Sequence, residues 1–93
     1  MYLLIYIRLT MNDRRTSLIA EAILLHLERY PGSADTLEGI CLWWIDFSSL
    51  GANLFSTQLA LEQLEQEHRV ERIMLGGRQL WRKSRETGNY THH

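Results

Sequence analysis

Apolar residues recur at intervals of three and four along the first third of the chain, and this spacing predicts a helix over Ser17–Tyr30. Thr16 or Ser17 is expected to be its N-cap, and Pro31-Gly32 to end it. Its predicted apolar face consists of Leu18, Ile19, Ala22, Ile23, Leu27 and Tyr30.

A second stretch with the same spacing predicts a helix that begins at Asp35. The Asp35 carboxylate is expected to cap this helix while Glu38, three residues later, reaches back to the cap. The predicted apolar stripe is Leu37, Ile40, Cys41, Trp44 and Phe47. Two serines, a glycine and an asparagine then predict a loop over Ser48–Asn53.

A third helix is predicted from Ser56, which is interpreted as its N-cap. Phe55, just before the cap, is expected to pack on Ala60 as a hydrophobic staple. The expected inner face of this helix is Ala60, Leu61, Leu64 and His68.

After the third helix, apolar residues no longer recur at helical spacing. Two stretches, Val70–Leu75 and Arg78–Ser84, flank the two-residue turn Gly76-Gly77. Paired glycines accept positive φ at both turn positions, so the pattern predicts a β-hairpin in which Ile73 pairs with Leu80. Trp81 and Met74 fall on the opposite face. The pattern alone therefore leaves open which face of the hairpin is buried.

Three helices followed by a hairpin resemble a winged helix-turn-helix domain of the small bacterial regulator type. The similarity is carried by Ala60-Leu61-Glu62-Gln63-Leu64, Val70-Glu71-Arg72 and Gly77-Arg78-Gln79-Leu80-Trp81. It implies an α+β fold, a three-helix winged-helix domain with a C-terminal two-stranded β-hairpin wing. It also implies a third helix that enters the DNA major groove and a wing that lies along the backbone. The expected organisation is an N-terminal arm or short strand over 1–15, the winged-helix domain over 16–85 and a flexible tail over 86–93.

The apolar stretch Met1–Leu9 is too short to span a membrane and lacks the features of a signal peptide. It suits a short strand or an arm, unless Met11 is the native start. A single cysteine cannot form an internal disulfide, so a reducing, cytoplasmic location is expected. The origin of His92 and His93 stays open, and no function is assigned to them.

The formal net charge of -1 conceals a strong segregation of charge along the chain. Residues 1–15 hold three arginines and one aspartate, whereas residues 16–68 hold one arginine and eight acidic residues. Residues 69–93 hold six basic residues and two glutamates. The predicted fold therefore has an acidic helical body and a basic hairpin.

This distribution argues against a DNA-reading third helix, because Glu62 and its neighbours would repel phosphates. Two further features differ from the family pattern. The link over Asp46–Phe55 is long, and His68 stands where a left-handed glycine is usual. The helical repeat gives this helix an outward face of Gln58, Leu59, Glu62, Gln63 and Gln66.

The candidate partner interface consists of Leu42, Trp43, Leu59, Glu62 and Gln66. Leu42 and Trp43 lie away from the inner stripe of the second helix, and an outward indole beside a leucine is typical of a contact surface. The alternative is that the Ser48–Phe55 loop or the N-terminal arm covers them.

The candidate nucleic-acid contacts are Arg72, Arg78, Arg82, Lys83 and Arg85. Three interpretations remain open. The cations follow a phosphate backbone, they protect an edge strand and cover apolar surface, or they complement the acidic body of another copy or of a partner.

Little in the sequence indicates catalysis. His26, Cys41 and His68 do not have the spacing of metal ligands, and the common phosphate-loop, dinucleotide and nucleophile motifs do not occur. We expect no catalytic residue, no metal, no cofactor and no small-molecule substrate.

The leading hypothesis is a small non-enzymatic winged-helix module that acts by protein association, either as a homodimer or as an adaptor. The alternative is a DNA-binding transcriptional regulator that contacts DNA through the basic wing, together with Arg8, Arg14 and Arg15. No membrane contact is expected under either hypothesis.

Overall fold

The computed structural model describes the backbone of residues 2–45 and 53–85, and the side chains of 14–45 and 53–85. In chain order the elements are α1 (Tyr2–Arg29), β1 (Ala34–Asp35), α2 (Leu37–Gly39), a π-helix (Ile40–Trp44), α3 (Leu54–Gln66), β2 (Val70–Leu75) and β3 (Arg78–Lys83). The predicted α+β class with a C-terminal hairpin is confirmed. The predictions for Phe47, for most of the Ser48–Asn53 loop and for the tail over 86–93 lie outside the described residues.

Helix α1 is twice as long as the sequence pattern suggests. It starts at Tyr2, so the prediction of a strand over Met1–Leu9 is wrong, and the helix crosses residue 15 without a break. Neither glycine nor proline occurs between Tyr2 and Arg29, so nothing interrupts helical hydrogen bonding. Thr16 is therefore a buried mid-helix residue rather than a cap.

Among the side chains of α1 that the structure describes, the buried apolar ones are Ile19, Ala20, Ile23 and Leu27. Two residues assigned to the apolar face are exposed, namely Leu18 and Tyr30. The helix ends just before Pro31, as predicted. Its last turn is completed by a hydrogen bond from the Tyr30 backbone N–H to the His26 carbonyl at 2.8 Å.

The second helix begins one residue later than expected. Thr36 is its N-cap and accepts a hydrogen bond from the Gly39 N–H at 3.1 Å. Asp35 is in extended β1, where its Oδ1 accepts from the Thr36 N–H at 2.8 Å. The predicted Asp35 cap is wrong because sheet pairing holds the Asp35 backbone outside the helix.

Helix α3 also starts before the predicted cap. Asn53 is the N-cap, and its Oδ1 accepts from the Ser56 N–H at 2.8 Å while the Asn53 N–H donates to Ser56 Oγ at 2.9 Å. Ser56 is thus the third helical residue of a reciprocal capping box. Phe55 lies inside the first turn and is exposed, which contradicts the predicted staple on Ala60.

The C-terminus of α3 has the left-handed residue that the sequence suggested. His68 has φ of 60°. Its N–H donates to the Glu65 carbonyl at 3.0 Å, and the Arg69 N–H donates to the Leu64 carbonyl at 2.9 Å. These two bonds form a Schellman motif with histidine where glycine is usual. His68 is exposed, so its predicted place on the inner face is wrong.

The hairpin has the predicted turn. Gly76 and Gly77 have φ of 60° and 78°, as a type I′ turn requires. Ile73 pairs with Leu80 as predicted, and Trp81 pairs with Arg72. Trp81 is only 1% exposed, so its face is the one that packs on the core.

A third strand, β1, completes the sheet, and no pattern in the sequence indicated it. Ala34 pairs with Arg82 and Asp35 with Trp81, both antiparallel, so the strand order is β1-β3-β2. The expected two-stranded sheet is thus corrected to three strands, with β3 in the centre. The core beneath it joins α1, the π-helix, α3 and the sheet through Ile19, Ala20, Ile23, Leu27, Ile40, Ile45, Ala60, Leu61, Leu64, Val70 and Trp81.

Candidate interaction surface

Leu42 and Trp43 lie on the outside of the π-helix. Their exposed fractions are 56% and 79%. Most of the Ser48–Phe55 loop and the side chains of the N-terminal arm, which were the alternative cover, lie outside the described residues. Ile40 and Cys41, which precede them, are buried, and Ile45 is buried just after the π-helix. The chain is therefore anchored on both sides of an outward leucine–tryptophan pair.

The next residue, Trp44, fixes this segment against α1. Its ring stacks on the His26 imidazole with centroids 4.3 Å apart and an interplanar angle of 15°. The His26 Nε2 lies 3.2 Å from Ser33 Oγ, within hydrogen-bonding distance. Burial lowers the pKa of His26, and the nearby Asp35 carboxylate opposes that shift. His26 is therefore a packing residue of α1 that supports the π-helix on which Trp43 lies.

The outward face of α3 contributes less apolar surface than expected. Gln66 is exposed, whereas Leu59 and Glu62 are half-buried. The Gln58 Nε2 donates to Glu62 Oε2 at 2.8 Å, so the carboxylate is held along the helix. The candidate interface residues thus lie on two elements. Leu59, Glu62 and Gln66 are on α3, and the Leu42–Trp43 pair is on the π-helix.

Two apolar residues at the start of α3 were not recognised as surface candidates. Leu54 and Phe55 are 47% and 73% exposed. The available signal was Asn53, since an asparagine cap followed three residues later by Ser56 would have placed Phe55 inside the helix.

Arg72 is occupied by an internal partner. Its Nε and Nη2 donate to the two carboxylate oxygens of Glu65 at 2.8 and 2.7 Å. The guanidinium also lies 4.5 Å from the ring centroid of Trp81. The hydrogen bond from Arg72 lowers the pKa of the Glu65 carboxyl, and the same bond raises the pKa of Arg72. The pair joins α3 to the hairpin and neutralises a candidate DNA contact.

Arg82 is engaged in the same way. Its Nε donates to Glu71 Oε2 at 2.7 Å across the hairpin, and the Arg85 N–H donates to Glu71 Oε1 at 3.4 Å. The bond from Arg82 is the main cause that lowers the pKa of Glu71. Arg78, Lys83 and Arg85 are exposed. The basic hairpin predicted from sequence thus presents fewer uncompensated cations than its composition suggests.

A groove of about 400 Å³ runs between the end of α1 and the base of the hairpin. Three leucines and two glutamates line it from α1, and two cations line it from the hairpin side: Leu24, Leu25, Leu27, Glu21, Glu28, Arg69 and Lys83. The groove therefore combines an apolar wall with two anions and two cations.

The remaining candidates for chemistry lie apart from one another. Cys41 is buried in the π-helix, His26 is stacked on Trp44, and His68 is at the exposed end of α3. Among the described residues, no group of three His, Cys, Asp or Glu side chains is arranged to hold a metal ion.

Within the described part of the chain, no helix combines the length and the hydropathy needed to cross a bilayer. A comparison with protein-family models finds no match, and searches of curated proteins and of solved structures find no match either.

Proposed function

We propose that this protein is a small, non-enzymatic winged-helix module that acts by protein association. The observation that carries the proposal is the exposure of Trp43, 79% of whose surface is accessible beside the half-exposed Leu42. An indole fixed on a rigid element is a typical anchor of protein interfaces, because it contributes a large contact area at low conformational cost.

The element order supports the winged-helix assignment. A short strand lies between the first two helices and pairs with the second strand of the hairpin, which gives a three-stranded sheet of order β1-β3-β2. The hairpin that follows α3 agrees with a third helix followed by a wing.

The charge arrangement favours a protein partner over a nucleic-acid partner. Glu65 holds Arg72, and Glu71 holds Arg82, so two of the five candidate phosphate contacts are already neutralised. The outward face of α3 presents glutamines and Glu62 in place of the cations that would neutralise phosphates.

DNA binding through the wing is the second candidate function. It is favoured by the exposure of Arg78, Lys83 and Arg85 on the hairpin and at its exit. This alternative predicts salt-dependent binding that weakens when Arg78 is neutralised. A cytoplasmic location is proposed for either function, since the single Cys41 is a buried thiol.

The test of the proposed function is a comparison of Trp43→Ala with Met74→Ala, which removes a different exposed apolar side chain. Self-association and association with a candidate partner are measured for both variants and for the parent chain. Trp43→Ala is expected to weaken association at least tenfold, or about 1.4 kcal/mol, and to change stability by about 0.5 kcal/mol or less. Equal effects of both variants, or no effect of Trp43→Ala, would contradict the proposal.

A further inference from the structure

The tip of the hairpin carries an exposed leucine beside an exposed arginine. Leu75 and Arg78 pair directly across the turn, so their side chains lie on one face of the hairpin, about 5 Å apart at Cβ. Leu75 is 65% exposed, and Arg78 is exposed as well. Their face is the one opposite to Trp81, because side chains alternate between the two faces of a strand. The hairpin tip, Leu75 and Arg78, therefore presents an apolar group and a cation side by side, away from the core.

The hairpin tip also projects beyond the part of the sheet that has three strands. β1 pairs with β3 at Trp81 and Arg82, whereas the turn lies at Gly76-Gly77. Arg78 is three residues from Trp81, which is about 10 Å along an extended strand. A second molecule can therefore contact the tip without displacing β1.

The surface around Trp43 has the complementary character. Glu38 precedes Leu42 and Trp43 by four and five residues on the continuous helical segment that α2 and the π-helix form. Residues at this spacing are one turn apart in α- and π-helical geometry. Glu38 is exposed, as are Leu42 and Trp43. The Trp43 surface, consisting of Glu38, Leu42 and Trp43, thus combines an apolar pair with a carboxylate.

The charges of both surfaces are available for a partner. Unlike Arg72 and Arg82, neither Glu38 nor Arg78 forms a salt bridge with another described residue. A free carboxylate beside an indole and a free guanidinium beside a leucine match each other in charge and in polarity. A guanidinium that approaches a tryptophan ring also gains a cation–π interaction.

We propose that the hairpin tip of one copy of this chain docks on the Trp43 surface of a second copy. Leu75 then packs on the partner's Trp43, and Arg78 faces the partner's Glu38. The second copy is the occupant because one chain carries both complementary surfaces. A two-fold axis makes the contact reciprocal, so each copy supplies one tip and one tryptophan and the assembly closes as a dimer. This inference rests on the proposed function and names the partner of its tryptophan.

Sedimentation velocity of the full chain, from low to high micromolar concentration, tests the inference. The parent chain is expected to form a dimer, and Trp43→Ala and Leu75→Asp are each expected to weaken it by at least about tenfold. Met74→Ala is the matched control, because Met74 is as exposed as Leu75 but lies on the opposite face of the hairpin. It should leave the dimer intact. Circular dichroism checks that each variant keeps the fold.

A mixture of the two weakened variants tests whether the tip and the tryptophan meet across the dimer. A pair of Trp43→Ala copies has no intact contact, and neither does a pair of Leu75→Asp copies. A mixed pair keeps one contact, since the intact tip of the first variant meets the intact tryptophan of the second. The mixture should therefore dimerise more strongly than either variant alone. No gain on mixing would overturn the inference.

Charge reversal gives an independent readout. Glu38→Arg and Arg78→Glu should each weaken the dimer, and the two together should restore it, because opposite charges face each other again. Failure of the double variant to restore the dimer would overturn the proposed charge pair.

The outcomes separate this inference from the proposed function. A dimer that is lost in Trp43→Ala but kept in Leu75→Asp would overturn the inference and support the proposed function. A parent chain that stays monomeric at every concentration would also overturn the inference, whereas binding of a different protein that depends on Trp43 would still support the proposed function.

Discussion

Arg72 of β2 forms a two-point salt bridge with Glu65 of α3, with nitrogen–oxygen distances of 2.7 and 2.8 Å. The same guanidinium covers the ring of the buried Trp81. One residue thus fixes the hairpin to the third helix and shields the core tryptophan. Because the cation and the anion satisfy each other, the pair is a structural contact in which little charge remains to attract phosphate.

A double-mutant cycle on Arg72→Ala and Glu65→Ala should give a coupling energy of about 0.5 kcal/mol, since both side chains are about one-third exposed. The pKa of Glu65 is lowered, so this stabilisation is present above the ordinary glutamate pKa and is lost as the pH falls through the lowered value. Urea denaturation at neutral and acidic pH measures it. A coupling energy that is zero at neutral pH would show that the contact does not stabilise the fold.

His26 should make stability depend on pH near neutrality. Burial lowers its pKa, so the unfolded chain binds more protons than the folded chain as the pH falls below the ordinary histidine value. The stabilisation is therefore complete above that value and decreases below it. His26→Phe retains an aromatic ring against Trp44 and should remove this part of the pH dependence. An unchanged pH profile in His26→Phe would contradict the assignment.

His68→Gly should stabilise the protein by up to about 1 kcal/mol, because glycine adopts the left-handed conformation without strain. The matched control is Glu67→Gly, one residue earlier, where φ is -87°. There the added freedom of the unfolded chain should destabilise the protein by about 0.5 to 1 kcal/mol. Thermal denaturation of the two variants measures both effects. Destabilisation in both would show that the His68 side chain contributes more than its backbone strain costs.

The sequence predicted the elements that are specified by local chemistry. Gly76 and Gly77 specify their turn because two consecutive positive φ angles exclude most other residues. Pro31 ends α1 for a similarly local reason. The expected outward position of Trp43 also follows from helical periodicity, although the segment is a π-helix in the structure.

The features that the sequence did not predict depend on tertiary contacts or on competing local signals. β1 has only two residues and is defined by its pairing with Arg82 and Trp81, which no local pattern reveals. The predicted caps of the second and third helices, Asp35 and Ser56, each had a competing polar residue nearby, and Thr36 and Asn53 are the caps in the structure. The Glu65–Arg72 pair joins residues on different elements, so composition overestimated the free positive charge of the hairpin.

The proposed function requires that this protein associates with protein and does not bind DNA through α3 or through the hairpin. Sedimentation velocity of the full chain mixed with a fluorescent DNA duplex at low salt tests both parts in one sample. We expect the protein to sediment as a dimer while the duplex sediments at the rate of free DNA. A monomer that carries the duplex, and that releases it when Arg78 is neutralised, would contradict the claim.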